Sequence, residues 1–298
     1  MSPRRSRLTL SIALTGALVI GAGADALTDP GFATAPKGRF MIGDRHPDAE
    51  PEERWRPVAV GLPFTVAKTE VTQEQWASVM GSNPNATAQG RSATNPFFPG
   101  PPCADFGVGD ALPVSCVTFE EALLYCNALS SQRNLTPPYS RDEEGVWQWD
   151  RQADGYRLLT HLEWEVVARA GTEQAWDGAD RPQAACARAN VLDATAPSRA
   201  AAHFPCEDGH AALAPVASHT PNAWGLYDVT GNVAEWVWWD REPDAPRTLR
   251  VKQRITWPVM RRGGSYAHGP REARLGHHQP TGVAYRWPDT GLRLARGP

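Results

Sequence analysis

Apolar residues recur along this chain at two spacings. In Gln73–Met80, Phe119–Arg133 and His161–Ala170 they return every three or four positions, which predicts three helices with one buried face each. All three runs start with the same device. Thr72 with Gln75, Thr118 with Glu121 and Thr160 with Glu163 each form a capping box, in which the threonine hydroxyl accepts from an orphan backbone N–H and the later side chain reaches back to the first. Gly38-Arg-Phe-Met-Ile-Gly43 predicts an apolar strand, and the alternation in Pro57–Lys68 predicts a second. Residues 83–102 and 172–218 carry no period and hold many Pro, Ala and Asn residues. They are expected as long loops, which in a compact domain serve function or are pinned by ions and disulfides. No repeat and no clean internal linker divides the chain.

The start of the chain has a different pattern. Arg4, Arg5 and Arg7 precede an apolar run from Leu8 to Ile20, and Ala24-Asp25-Ala26 is a small-x-small cleavage site. Residues 1–26 are therefore expected as an export signal, 27–37 as a linker and 38–298 as one domain. The competing reading, an uncleaved anchor, meets an apolar run too short for a comfortable span. After cleavage the protein is expected to be free of the membrane, periplasmic or extracellular, and monomeric. Composition adds that Gly 26 and Pro 27 among 298 residues make a turn-rich chain, and that 12 Trp supply large rings for the core. A net charge of -3 excludes a broadly basic nucleic-acid binder.

Export gives the five cysteines meaning, since disulfides persist outside the cytoplasm. Cys126 lies on the apolar stripe of the second helix and is expected as a buried free thiol. Cys103, Cys116, Cys186 and Cys206 allow three connectivities; pairing 103 with 116 and 186 with 206 closes two short loops. No Cys/His spacing fits a zinc site.

Eight strings carry a resemblance: Phe40-Met-Ile-Gly43, Thr69-Glu-Val-Thr-Gln-Glu-Gln-Trp76, Pro113-Val-Ser-Cys-Val-Thr-Phe119, Tyr156-Arg-Leu-Leu-Thr-His-Leu-Glu-Trp-Glu165, Asn222-Ala-Trp-Gly-Leu-Tyr-Asp228, Gly231-Asn-Val-Ala-Glu-Trp236, Arg262-Gly-Gly-Ser-Tyr266 and Thr290-Gly-Leu-Arg-Leu-Ala-Arg296. In this order the chain closely resembles the formylglycine-generating enzyme (sulfatase-modifying factor) family over about residues 38 to 296. The resemblance implies an α+β, C-type-lectin-like domain with little regular structure. It also implies an O2-dependent oxidation of a sulfatase cysteine at a copper ion held by two cysteines just after Gly-Gly-Ser-Tyr. Those positions fall here on His268 and Ala273, and no cysteine follows Cys206. Copper is therefore not expected, because Cu(I) calls for soft thiolates. Ser265 and His268 remain as cleft candidates for catalysis. His268, His277 and His278 form a loose set that two adjacent, oppositely directed side chains make a poor metal site.

Calcium is implied instead. The family's second calcium site maps to the side chains of Asp228 and Glu235 and the carbonyls of Gly231 and Val233, and it is the better preserved. The first maps to Asn190, the Val191 carbonyl, Asp208 and the His210 carbonyl. Arg262 and Arg293 are expected to pair with buried carboxylates, and Trp236, Trp238 and Trp239 to line core and cleft, with Trp238 the candidate for solvent. Two functions stand: a binding module holding a peptide or protein ligand in the cleft, or an oxidoreductase acting on a sulfur-containing substrate through an altered metal site.

Overall fold

The three predicted helices form where the capping boxes place them. In the computed structural model, which describes residues 31–47, 49–91, 99–195, 202–239, 252–254 and 258–297, they are α1 (Gln73–Met80), α3 (Phe119–Gln132) and α4 (His161–Arg169). Both halves of the box are made at all three starts, on Thr72, Thr118 and Thr160. α1 stops at Gly81, which takes the left-handed conformation that ends many helices. Two single-turn helices, α2 (Pro84–Thr87) and α5 (Pro182–Ala185), lie in segments expected to be loops; each opens on proline, whose fixed φ suits a first helical position.

The strands are short and pair at long range. A four-stranded sheet has the order β1 (Phe32–Ala35), β4 (Phe64–Ala67), β15 (Leu294–Arg296), β9 (Tyr156–Leu158). The strand predicted at 57–68 is in fact two: β3 (Arg56–Val60) turns at Gly61-Leu62-Pro63 into β4, and β3 pairs with β2 (Gly38–Ile42). The segment expected as a linker is also corrected. Phe32–Ala35 pairs antiparallel with β4 because its alternate residues can be buried there, ending in the wholly buried Ala35. The expected signal, residues 1–26, lies outside the described residues.

A second sheet of four, in the order β13 (His278–Thr281), β12 (Val259–Arg262), β10 (Ala234–Val237), β14 (Thr290–Gly291), carries the candidate chemistry. β7 (Tyr139–Arg141), β8 (Trp147–Asp150) and β11 (Lys252–Arg254) make a third sheet, and β5 (Gln89–Arg91) pairs with β6 (Pro99–Pro102). Trp149, Trp164, Trp236 and Trp238 are among the largest fully buried side chains, so the rings do build the core. Trp238, the candidate for solvent, is 1% exposed; it is Trp239 that reaches the surface in part. Two disulfides, Cys103–Cys116 and Cys186–Cys206, staple the irregular segments, and Cys126 is buried and free. Among the described residues no helix is long and apolar enough to cross a membrane.

Candidate functional site

β12 runs between β13 and β10, then turns through Gly263 and Gly264, both at positive φ. The turn brings two segments into contact: a Cβ on Gly264 would lie 2.7 Å from the Cα of Ala273, so glycine is required there. Ser265 follows, wholly buried. Its Oγ accepts from the Ala267 N–H at 3.1 Å and shares a hydrogen bond with Nδ1 of His268, 2.6 Å away. Nε2 of the same ring faces Oδ2 of Asp289 at 3.8 Å, beyond a direct hydrogen bond. Asp289 is held by Arg261 at 2.8 Å and by the Thr290 hydroxyl at 2.6 Å.

Burial keeps His268 below the ordinary imidazole range; Asp289 pulls the other way and Arg261 adds to the lowering. Burial thus favours the neutral ring, with Nδ1 sharing a hydrogen bond with the Ser265 hydroxyl. Serine, histidine and aspartate stand here in sequence, a grouping that the primary structure hid because Asp289 lies in a distant turn. Yet a nucleophile must meet its substrate, and Ser265 exposes no surface. The geometry instead fixes His268: hydroxyl on one nitrogen, carboxylate beyond the other.

The donors for copper do not fit. His268 offers one imidazole already tied to Ser265, and Ala273 is a fully buried methyl packed with Trp176, Val191 and Phe204. Cys126, the unpaired thiol, lies in the other core cluster, where burial pushes its pKa up and leaves it inert. The loose histidine set is not assembled either. His277 Nδ1 lies 2.7 Å from Glu53, and His278 Nδ1 lies 3.9 Å from the same oxygen, whereas His268 faces Asp289.

The residues of the two expected calcium sites differ in what they meet. Glu235 is fully engaged: Arg293 donates twice to Oε1, at 2.9 and 2.8 Å, and Trp164 Nε1 donates to Oε2 at 2.6 Å. The expectation that Arg293 meets a buried carboxylate is met by this very residue. Gly231 and Asn232 form the expected turn, at positive φ, with no room for a Cβ on Gly231 beside the Asn190 carbonyl. The Val233 N–H donates to Glu70, a buried acid that sequence reasoning passed over. Burial and the neighbouring Asp228 push Glu70 well above the usual carboxylate range. Asp228 accepts from the Ala217 N–H at 2.7 Å, while its Oδ1 has no hydrogen bond and lies 4.0 Å from Nδ1 of His219.

At the first expected site one side-chain oxygen, Asn190 Oδ1, is left without a partner. Asn190 donates through Nδ2 to the Ala212 carbonyl and to Asn232 Oδ1, which fixes its amide and leaves Oδ1 buried and without a partner. Asp208 sits against the same backbone, accepting from the Val191 N–H at 2.7 Å and the His210 N–H at 2.9 Å. Asp193, absent from the sequence-based set, joins it: its Oδ2 accepts from the Asp208 N–H at 2.8 Å. Oxygens of Asp193 and Asp208 and the Cys186 sulfur all lie within 4.8 Å of one another. The sulfur is in a disulfide and is no ligand; the oxygens are of the hard type calcium takes. Burial, helped by Asp193, raises the Asp208 pKa, whereas at Asp193 burial is outweighed by hydrogen bonds from Thr195 and the Asp208 N–H, which lower it.

Comparison with known proteins matches this architecture. Residues 22–298 fit the model of the sulfatase-modifying factor enzyme 1-like domain. Chaperone protein LppX of Paenibacillus barcinonensis is 30% identical over 253 residues, 78% of this chain and 80% of its own. The formylglycine-generating enzyme of Thermomonospora curvata is 31% identical over 296 residues, 90% of this chain and 94% of its own. Among solved structures, Treponema denticola variable protein 1 superposes with a TM-score of 0.66 at 25% identity, covering 90% of this chain and 95% of that one. The eight motifs, the sparse α+β architecture and these matches agree: the chain belongs to the sulfatase-modifying factor family.

Proposed function

We propose that this protein is an exported, calcium-bound binding module on the family scaffold, which holds a peptide or protein ligand and does not convert cysteine to formylglycine. One observation carries the reading: where the family places two thiolates, this chain has an imidazole locked to Ser265 and a buried methyl at Ala273. An oxidase of thiols needs a metal that takes the substrate sulfur as a ligand, and no pair of soft donors is available to hold one. Support for a protein ligand comes from the relative named a chaperone, which aligns over most of both chains. Support for export comes from the two disulfides and from the pattern of residues 1–26.

Calcium would be held by Asn190 and Asp208 with the Val191 and His210 carbonyls, and Asp193 adds a carboxylate beside them. When bound, it supplies charge neutralisation that lets two acids share one loop. The chain's residues do the rest: the Cys186–Cys206 bridge fixes the loop ends, and Asn190 ties the loop to Asn232.

The test is direct. The purified chain should leave a cysteine-containing sulfatase peptide unconverted by mass spectrometry with copper and O2 present. It should retain a reduced, carboxymethylated, permanently unfolded protein on a gel-filtration column. Copper- and O2-dependent turnover of the peptide would overturn the reading, and so would failure to bind the unfolded chain.

A further inference from the structure

Just before the Gly231-Asn232 turn, two buried polar atoms face each other without a bond. Asp228 is 3% exposed; its Oδ2 accepts from the Ala217 N–H at 2.7 Å, but Oδ1 is buried and meets no donor. Nδ1 of His219 is also buried and unpartnered, and it lies 4.0 Å from that same Oδ1. The gap is too long for a hydrogen bond between them. Buried polar atoms in this state are rare, and a carboxylate oxygen is a costly one to leave unmet.

The surroundings do not supply what Oδ1 lacks. Arg293 acts on Glu235, Glu70 and Asp228 together, but its hydrogen bonds go to Glu235 Oε1 and to the Ala67 and Tyr227 carbonyls. Burial raises the Asp228 pKa, with Glu235 adding to the rise, against the Ala217 N–H, Arg293 and His219. Burial also holds His219 below the ordinary imidazole range, although Asp228 and Asp208 pull it up. The neutral ring is thereby favoured, and that is the form that ligates a metal. A third donor stands next to the pair. The His210 ring lies 6.0 Å from that of His219, centroid to centroid, and its nitrogens have no hydrogen bond or ion pair among the described residues. Both histidines are half-buried, with Asp228 deeper.

We propose that His219 Nδ1 and Asp228 Oδ1, joined by His210 after a turn of its side chain, bind one divalent transition-metal ion of the zinc class. An ion bonded at about 2.1 Å to each of two atoms can sit between atoms about 4 Å apart, so it reaches both members of the pair where a direct hydrogen bond cannot. Two imidazoles and one carboxylate suit zinc and its neighbours, whereas calcium takes oxygens alone. The bound ion neutralises Asp228 and ties the segment carrying His210 and His219 to the turn that follows Asp228. The inference stands apart from peptide binding and from calcium at Asn190 and Asp208, and it does not depend on either.

Full-length protein, stripped with a chelator and returned to excess calcium, is titrated with zinc chloride by isothermal calorimetry. One zinc should bind per chain. His219→Ala and Asp228→Asn should each weaken it by more than about tenfold, since even a supporting group around a metal is worth about ten- to a hundredfold. His210→Ala should weaken it by about tenfold. His46→Ala, at an exposed histidine outside the cluster, should leave it unchanged. Should Asp228→Asn fail to fold, the unaltered chain decides: copper(II), which such donors hold more tightly than zinc, should show couplings to two imidazole nitrogens in its electron paramagnetic resonance spectrum, and His219→Ala should reduce them to one. No zinc uptake, or uptake that survives in both His219→Ala and Asp228→Asn, would overturn the proposal. Zinc that binds in the absence of calcium and is lost when calcium is added would overturn it as well, in favour of calcium at Asp228.

Discussion

At the level of single residues, one well-connected buried charge is one that sequence inspection passed over. Glu53 is 2% exposed and receives Arg274 at 3.2 Å and the Glu50 N–H at 3.2 Å, with His277 Nδ1 at 2.7 Å. Burial alone would raise its pKa, but His277, the Glu50 N–H and Arg274 outweigh it and hold the carboxyl at about 2. Beside it, burial and then Arg262 and His277 lower His278 to about 4, against the pull of Glu53 and Glu165. The fold therefore prefers His278 neutral, while the unfolded chain takes up a proton near 6.5. Stability should be full above pH 6.5 and fall as the pH drops towards 4, by on the order of 2–3 kcal/mol. Below 4.5, Glu53 adds a second loss that continues towards pH 2. Melting curves between pH 7 and 4 check this: His278→Gln should flatten the upper part of the decline, and parallel curves would show that the imidazole is not its cause. None of this was legible in sequence. Adjacent histidines on an extended segment point apart, whereas here a turn before β13 lets both approach one carboxylate more than two hundred positions away, and no local pattern reports such a pair.

At the level of elements, the legible part is what local chemistry decides. Three threonines with a Gln or Glu three residues on gave three helix starts, and all three boxes form. Their weights differ, because burial differs. Thr72 and Gln75 exchange their bonds at the surface, whereas Glu163 accepts from the Thr160 N–H at 3.0 Å and from Arg157 at 2.7 Å deep inside. Thr160→Ala should cost about 1–2 kcal/mol and Thr72→Ala about half as much, by urea unfolding. Glu163→Gln should cost more, about 3 kcal/mol, since it removes the negative charge that the buried Arg157 meets at 2.7 Å. A smaller loss for Glu163→Gln than for Thr160→Ala would show that Arg157 finds another partner. The strands were less legible for a physical reason. Most have three to five residues, too few for a period to declare itself, and β1 owes its form to β4, its partner across the sheet.

At the level of the whole molecule, two short-range disulfides and a cluster of acids do for the irregular half what the sheets do for the rest. Cys186–Cys206 encloses Asn190 and Asp193, and Asp208 follows just outside it. Oxygens of Asp193 and Asp208 approach within 4.8 Å, and among the described residues their hydrogen bonds come from backbone N–H groups and Thr195. Like charges this close raise the free energy of the folded state unless a cation joins them. A ligand bound only by the folded chain stabilises it by mass action, about 2.7 kcal/mol at a hundredfold excess over Kd. Chelation of calcium should therefore lower the melting temperature of the full chain by several degrees, on the order of 4–8 °C. The two sites expected from sequence then part company. Asp208→Asn should abolish the response to chelator, since it removes a carboxylate whose oxygens face the Val191 and His210 backbone. Asp228→Asn should retain it, because Glu235, its intended partner, already neutralises Arg293. Melting temperatures that match with and without chelator would remove calcium from the first site, and a response lost in Asp228→Asn but kept in Asp208→Asn would return it to the second.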